Sequence, residues 1–346
     1  MSLTVAAAAL LGCRAPAEGS SPRPPPTDES TGIGSPPGTG DTAPPAPTGD
    51  TGPSPVVYDC ASVPTQPLGF RDVPGARGYH DVAFDPEGYV VGQTVSGDLS
   101  RTDYAGNFSV WVPGVGTVQQ MVWLPDGDLA VASDVYGIVR VAPSGGTAVI
   151  NPDIYAYGLV LGPDGLLWAA DEAVVHKVDP VSGAATVVVG RGALIRGAPR
   201  VLNFDLGYTK LYLGTYIGTQ GRIYAVDLDA NLDPVGAPYV FVAGVGTGAY
   251  HDSLGVDLCG YLYVADYSTA ALYRISPDGA RVQTLLDAGF FPGGNYGHGL
   301  EWGNGIGGWL TDAIYLPQPY GQHHVVEVTL GVPSREWTGG VAINLP

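Results

Sequence analysis

The sequence predicts an all-β protein whose main domain is a six-bladed β-propeller of four-stranded antiparallel blades. Three observations predict it. Glycine accounts for 52 of the 346 residues and charged residues for only 14%, which favours turns and strands over helices. No long segment of the sequence has the 3.6-residue apolar period of a helix. From residue 79 onward, one pattern of short strands recurs six times, at intervals of about 38 to 52 residues.

Residues 1–13 are interpreted as a lipoprotein signal peptide that ends in a lipidated cysteine. A short apolar run ends in Leu10-Leu11-Gly12-Cys13, which resembles a bacterial lipobox. Acyl chains on Cys13 would hold the protein to a membrane without a transmembrane helix. Signal peptides usually begin with positive residues, whereas here the first basic residue is Arg14. An accidental Leu-Leu-Gly-Cys is therefore the alternative.

Residues 14–55 are predicted to be a disordered linker between the anchor and the propeller at 56–346. The segment consists almost entirely of Pro, Gly, Thr, Ser, Asp and Ala, with two similar Thr-Gly-Asp-Thr units at 39–42 and 48–51. It has too few large apolar residues to offset the entropy of ordering. Its proline content favours extended conformations, so the linker is expected to act as a tether.

The charge balance restricts the partners and the compartment. Acidic residues outnumber basic ones 33 to 15, and the net charge is −18. Nucleic-acid binding requires Lys and Arg to contact phosphates, so no nucleic-acid partner is expected. With the signal and the tether, this predicts an extracytoplasmic lipoprotein on the outer membrane or cell surface. Its ligand is expected to be a small molecule, a glycan or a protein.

Two cysteines remain once Cys13 is assigned to the anchor. An even remainder in an exported protein predicts a disulfide between Cys60 and Cys259. Two buried thiols are the alternative.

The six repeats share an order of elements. The first three copies are His80–Gly88, Gln119–Gly127 and Tyr157–Gly165, and looser copies begin at Arg200, Asp252 and His298. A glycine turn, most often Pro-Asp-Gly, joins the first strand of a copy to the second. Three copies place an aspartate at the end of that second strand, and we predict that these residues accept backbone N–H bonds: Asp134, Asp171 and Asp266. Residues near 67–73 resemble a fourth strand, so we expect them to pair with the last blade and close the ring.

These repeats resemble the NHL and SMP-30/gluconolactonase superfamily of six-bladed propellers. The resemblance covers about residues 66–340 and rests on the Pro-Asp-Gly–strand–Ala-Asp pattern. In the lactonase branch, Glu, Asn and Asp from blades one, four and five hold a divalent metal, and an Asn from blade three helps to hold substrate. The corresponding residues here are His80, Arg200, Asp252 and Tyr157, of which only Asp252 matches. The resemblance therefore implies the fold and not that lactonase site.

The first residues of the six inner strands are expected to surround one mouth of the central channel. Two histidines and a carboxylate from neighbouring blades, His80, Asp252 and His298, are a competent set for zinc, calcium or manganese, with water activated for hydrolysis. Tyr157, Arg200 and Gln119 are the predicted ligand-binding residues, with Tyr157 and Arg200 able to orient an anion. A wet channel lined by polar residues, or an anion or sugar site without metal, are the alternatives.

One ambiguity concerns the register of blade five. The triplets Tyr79-His80-Asp81 and Tyr250-His251-Asp252 are identical but align one residue apart when counted from the glycine turn. A shift of one residue reverses the face of a strand side chain. His251 could therefore take the place of Asp252 at the mouth.

The predicted function is ligand binding or scaffolding at the channel mouth by a membrane-anchored lipoprotein, with no enzymatic activity required. The alternative is a metal-dependent hydrolase or lyase of the SMP-30/NHL type. A structural or adhesive role through the Tyr- and Gly-rich loops is a third hypothesis.

Overall fold

The computed structural model describes residues 57–194, 196–216, 221–246, 250–287, 298–318, 324–337 and 342–344. The predicted signal peptide, Cys13 and the linker lie outside the described residues. Ser54–Pro346 form one compact unit. Within the described part of the chain, no helix is long and apolar enough to cross a membrane.

The described strands form six four-stranded antiparallel blades, which confirms the predicted propeller. In chain order the strands are β1 (Val57–Asp59), β2 (Gly69–Val73), β3 (Val82–Phe84), β4 (Val90–Gln93), β5 (Leu99–Thr102), β6 (Phe108–Val112), β7 (Val118–Trp123), β8 (Leu129–Ser133), β9 (Gly137–Val141), β10 (Thr147–Asn151), β11 (Gly158–Leu161), β12 (Leu167–Ala170), β13 (Val175–Val178), β14 (Ala185–Val189), β15 (Ala198–Phe204), β16 (Lys210–Tyr216), β17 (Ile223–Leu228), β18 (Pro234–Val242), β19 (His251–Val256), β20 (Leu262–Asp266), β21 (Ala271–Ile275), β22 (Val282–Leu286), β23 (Glu301–Trp302), β24 (Ala313–Gln318), β25 (His324–Thr329) and β26 (Ala342–Asn344). Blades one to five are β3–β6, β7–β10, β11–β14, β15–β18 and β19–β22. Blade six combines β23, β24 and β25 with β2, and β1 pairs with β26 in a separate two-stranded parallel sheet. The one helix among the described residues is a 3₁₀ turn at Cys60–Ser62.

The repeated aspartates are structural, as predicted. Asp134 accepts a hydrogen bond from the backbone N–H of Thr117 at 2.6 Å, and Asp171 accepts one from Val174 at 2.8 Å. Asp266 accepts one from Ser268 at 3.0 Å. Each carboxylate therefore satisfies backbone donors at the blade end where a chain reversal leaves them without strand partners.

Apolar side chains fill the spaces between blades. The described core divides into six clusters, and each draws its residues from two neighbouring blades. Between blades three and four, for example, the fully buried Trp168 meets Phe204 edge to face, with ring centroids 5.0 Å apart. Each blade thus buries both faces, so the core is a ring of interfaces.

Ring closure occurs where the sequence predicts it, because β2 pairs with β25 from Gly69–Thr329 to Val73–Val325. Arg71 on β2 holds Glu327 on β25 through two bonds, Nε to Oε1 at 2.8 Å and Nη2 to Oε2 at 3.1 Å. The hydroxyls of Tyr315 and Tyr104 also donate to Oε2 of Glu327, at 2.7 and 3.1 Å. The guanidinium of Arg71 lies 4.2 Å from the Tyr104 ring centroid. These four side chains, Arg71, Glu327, Tyr104 and Tyr315, form a closure clasp that joins the N-terminal strand, blade six and blade one.

A disulfide provides a second fastening. Cys60 and Cys259 are bonded, with Cα atoms 5.5 Å apart and a sequence separation of 199, which confirms the predicted pairing. The bond ties the segment before β2 to blade five. A cross-link over a loop of this length stabilises by about 5 kcal/mol in the chain-entropy description.

The closure clasp generates a stability prediction. Arg71→Met leaves the mostly buried Glu327 without its cation, and we expect a loss of about 2 kcal/mol in the free energy of unfolding at pH 7. Urea denaturation measures it. Arg140→Met is the matched control, because Arg140 forms a similar pair with Asp126 inside blade two, and it should cost less than about 1 kcal/mol. Equal losses for the two variants would contradict a special role for the clasp.

The same pair predicts a pH dependence. Burial alone would raise the pKa of Glu327, but the bonds from Arg71 and Tyr315 outweigh it and hold that pKa below its usual range. Ionised Glu327 therefore contributes fully to the free energy of unfolding above the unfolded-state pKa of about 4.3. This contribution declines as the pH falls through the lower pKa of the folded state. The free energies of unfolding of the wild type and Arg71→Met, measured by urea denaturation, should therefore become more similar as the pH falls below about 4.

Candidate functional site at the channel mouth

Three β-bulges position predicted site residues at the mouth. The register of the inner strand shifts at Gln119 in β7, at Arg200 in β15 and at Asp252 in β19. A bulge inserts one unpaired residue and re-aims its side chain. In the other three blades, His80, Tyr157 and His298 lie just before the inner strand.

The structure brings His80, Asp252 and His298 together. Nδ1 of His298 lies 2.6 Å from Oδ2 of Asp252 and 2.8 Å from Nδ1 of His80. One potential ligand atom from each residue lies within 4.8 Å of the others. His298 is fully buried, and His80 is partly exposed. The site therefore joins blades five, six and one.

Arg200 extends this group toward blade three. Its Nε donates to Oδ1 of Asp252 at 2.5 Å, and its Nη1 donates to Oε1 of Glu172. The guanidinium also lies 4.2 Å from the ring centroid of Tyr157 and 5.1 Å from that of Tyr216. Arg200 is thus bonded to two carboxylates and lies within cation–π distance of two tyrosine rings.

This arrangement bears on the expectation that Arg200 orients an anion. Arg200 is bonded to the ionised Asp252 and to a second carboxyl group, Glu172, so acidic groups of the protein lie directly against its guanidinium. The positive charge of Arg200 is already balanced inside the group. The mouth is consequently better suited to a cation or a neutral polar ligand than to an anion.

The protonation states are those that a metal ligand needs. Burial, with the neighbouring His298, lowers the pKa of His80 to about 3, so its imidazole is neutral. Burial opposes ionisation of Asp252, but the hydrogen bond from His298 and the charge of Arg200 outweigh it and hold the pKa of that carboxyl well below its usual range. Metal binding requires neutral imidazole and ionised carboxylate.

The donor set fits a divalent transition metal. Two imidazole nitrogens and one carboxylate oxygen suit zinc first and manganese second, whereas calcium takes about six to eight oxygen ligands. The two oxygens of Asp252 divide their partners, since Oδ1 bonds Arg200 and Oδ2 faces the histidines. Arg200 can therefore hold Oδ1 of Asp252 while Oδ2 remains directed at the position that a metal would occupy.

The ambiguity between His251 and Asp252 is resolved by the bulge. His251 is 1% exposed, and its Nδ1 accepts a hydrogen bond from the backbone N–H of Thr215 at 3.2 Å. Its Nε2 lies 3.2 Å from the carbonyl oxygen of Val245. His251 therefore packs between blades four and five, and Asp252 is the residue that reaches the mouth.

Tyr157 was predicted from the sequence, whereas Glu172 and four further tyrosines near the mouth were not. The ring contacts run from Tyr216 to Tyr250 at 4.8 Å, from Tyr250 to Tyr267 at 5.7 Å and from Tyr267 to His298 at 4.7 Å. Tyr79 continues the series, 4.4 Å from His80. With Tyr157, these five partly exposed residues form the tyrosine belt: Tyr79, Tyr157, Tyr216, Tyr250 and Tyr267. The signal in the sequence was the repeated Tyr-His-Asp triplet.

Glu172 belongs to the group at the mouth, whereas Gln119 does not. Glu172 has a φ of 63°, a left-handed conformation that is uncommon outside glycine. This turn between β12 and β13 directs Glu172 toward Arg200. Gln119 occupies a bulge equivalent to those of Arg200 and Asp252, but it belongs to none of the hydrogen bonds or ion pairs described in this group.

The fold is similar to that of known propellers. No family model and no curated protein matches the sequence. Regucalcin, a calcium-binding protein from Agrobacterium tumefaciens, is 17% identical, with a TM-score of 0.61 over 78% of this chain and 96% of that one. A gluconolactonase from Xanthomonas campestris is 12% identical, with a TM-score of 0.61 over 81% of this chain and 95% of that one.

A binding protein is also among the similar structures. An auxiliary nutrient-binding protein from Bacteroides thetaiotaomicron is 12% identical, with a TM-score of 0.56 over 80% of this chain and 74% of that one. These similarities confirm, at the level of fold, the resemblance to six-bladed SMP-30/gluconolactonase propellers. The same fold serves catalysis and binding in these proteins, so function here must be argued from the site.

Proposed function

We propose that this protein is a lipid-anchored binding protein of the cell envelope that captures a hydroxyl-rich ligand, such as a glycan, at the channel mouth. The observation that carries the proposal is the tyrosine belt around a polar centre. Aromatic walls with a few placed polar groups are typical of small-molecule sites. The ring faces provide apolar stacking surface, and the phenol hydroxyls can donate and accept hydrogen bonds.

The charges support a neutral ligand. Arg200 is balanced by Asp252 and Glu172, so it offers no free cation to an anionic substrate. Carboxylate oxygens accept hydrogen bonds from hydroxyl groups, and a guanidinium donates several. The polar centre therefore supplies both kinds of hydrogen-bonding partner at little net charge.

Glycan-array binding by the purified protein tests this proposal. Binding should survive a chelator, and Tyr157→Ala should weaken it by about tenfold or more because a stacking face and the support of Arg200 are lost. Tyr155→Ala is the matched control, since Tyr155 is an exposed tyrosine two residues away and outside the belt. Equal weakening by both substitutions, or no glycan bound at all, would refute the proposal.

Membrane anchoring through Cys13 is part of the proposal and rests on the sequence. Metabolic labelling with a fatty-acid analogue should modify the wild-type protein, and Cys13→Ser should abolish the label and move the protein from the membrane fraction to the soluble fraction. Cys13→Ala should behave identically, because the thioether and not the hydroxyl or methyl group carries the lipid. A Cys13→Ser protein that stays in the membrane fraction would count against the anchor.

A metal-dependent hydrolase or lyase is the second candidate, favoured by the convergence of His80, Asp252 and His298. A metal held there would supply Lewis-acid activation of a water molecule or a carbonyl oxygen. Arg200 would orient Asp252, and Glu172 would hold Arg200. The tyrosine belt would orient the substrate.

Metal analysis separates the two candidates. After dialysis against zinc and removal of excess ion, the enzyme hypothesis predicts about one zinc per chain in the wild type and its loss in His80→Ala. His176→Ala is the control, because His176 also pairs with an aspartate, Asp171 at 3.1 Å, but lies outside the group. The same dialysis is repeated with manganese, and a wild type that retains neither ion would remove the second candidate.

A further inference from the structure

A cavity of about 460 Å³ lies further along the central channel, away from the mouth. Every inner strand contributes to its wall. Six of the lining residues form a ring in which each lies three positions after a mouth residue: Ala83, Val122, Val160, Asn203, Gly255 and Glu301. None of the six mouth residues lines this cavity. We call it the distal cavity.

Short contacts join the inner strands of neighbouring blades beside the distal cavity. Asp81 accepts a hydrogen bond from the backbone N–H of Met121 at 2.7 Å, and Gln120 accepts one from the backbone N–H of Leu159 at 2.7 Å. A Cβ at Gly158 would lie 2.7 Å from the Cα of Val201. These contacts link neighbouring blades and hold the cavity wall in place.

The C-terminal segment covers part of the other end of the distal cavity. The indole of Trp302 donates to the carbonyl oxygen of Val332 at 3.0 Å, and the backbone N–H of Arg335 donates to Val256 at 3.0 Å. The Arg335 side chain then donates to the carbonyl oxygen of Phe204 at 2.5 Å. Residues 334–336 line the cavity. The segment thus crosses from blade six over blade five to blade four.

Glu301 is the one charged side chain in the ring of six wall residues. Among the described residues, no lysine or arginine forms an ion pair with it. Arg335, the one cationic residue in the described lining, donates to the carbonyl oxygens of Phe204 and Asp205 and stacks on Tyr208 at 4.8 Å. Burial, with Glu336 and Asp81 nearby, raises the pKa of Glu301 well above its usual range. A carboxylate in such surroundings requires a proton or a cationic partner.

We propose that the distal cavity binds a small organic cation, a protonated amine on an apolar or aromatic body, with Glu301 as its counterion. Val122, Val160 and Trp123 supply the apolar wall against which the body would pack. An aromatic wall also favours a cation over a neutral ligand of the same shape. This site is independent of the mouth and of its tyrosine belt.

Three indole compounds with the same ring and different charges test the proposal by isothermal titration. Tryptamine is cationic, tryptophol neutral and indole-3-acetate anionic. Tryptamine should bind at least about tenfold more tightly than either analogue, and Glu301→Gln should remove that preference. Glu87→Gln, which removes an exposed carboxylate from the β3–β4 turn, should leave tryptamine binding unchanged.

A folding control and a cavity-filling variant complete the test. Glu301→Gln should unfold at a temperature no lower than the wild type, because it removes a partly buried carboxylate that has no ion-pair partner among the described residues. Val122→Phe should fill part of the cavity and weaken tryptamine binding with Glu301 intact. The proposal is overturned if tryptophol binds as tightly as tryptamine, if Glu301→Gln retains the preference for the amine, or if millimolar tryptamine does not bind.

Discussion

The pairing of β2 with β25 is the constraint on which the rest of the structure depends. A propeller blade buries both of its faces against neighbours, so an open ring would leave one face of blade one and one of blade six in water. The closure also builds the mouth. His80 belongs to blade one and His298 to blade six, 218 residues apart in sequence, yet their Nδ1 atoms lie 2.8 Å apart. That approach exists only if the N-terminal strand completes blade six.

Charge at the mouth is organised around one arginine. Asp252 and Glu172 would repel each other if they stood alone, and Arg200 holds both of them. It also fixes which oxygen of Asp252 remains directed at the histidines. The same guanidinium contacts the rings of Tyr157 and Tyr216, so the charged centre and the aromatic wall share this side chain. A substitution at Arg200 would therefore disturb hydrogen bonding, stacking and carboxylate orientation together.

The sequence predicted the fold more completely than it predicted the site. The six blades, the four strands of each blade, ring closure and the Cys60–Cys259 pairing follow from local signals, namely turn glycines, a regular repeat and cysteine parity, whereas the separate β1–β26 pair was not predicted. The bulges at Gln119, Arg200 and Asp252 could not be predicted from such signals. A bulge leaves the apolar pattern almost intact while it changes which side chain faces the channel. The choice between His251 and Asp252 was open for that reason. Glu172 lies in a turn, where no periodic pattern predicts the direction of a side chain.

The two ends of the channel differ in what they offer a ligand, although the same six strands build both. At the mouth, charges are matched within the protein, and the histidines and tyrosines leave polar and aromatic groups available. In the distal cavity, the wall combines aliphatic and aromatic side chains with a few polar groups, and Glu301 has no ion-pair partner among the described residues. The two ends are only three residues apart along each strand. Gly255 lies three positions after Asp252, and Glu301 lies three positions after His298. The two sites share no lining residue, since none of the six mouth residues lines the distal cavity. One closed ring can therefore carry two sites of different chemistry on a single axis.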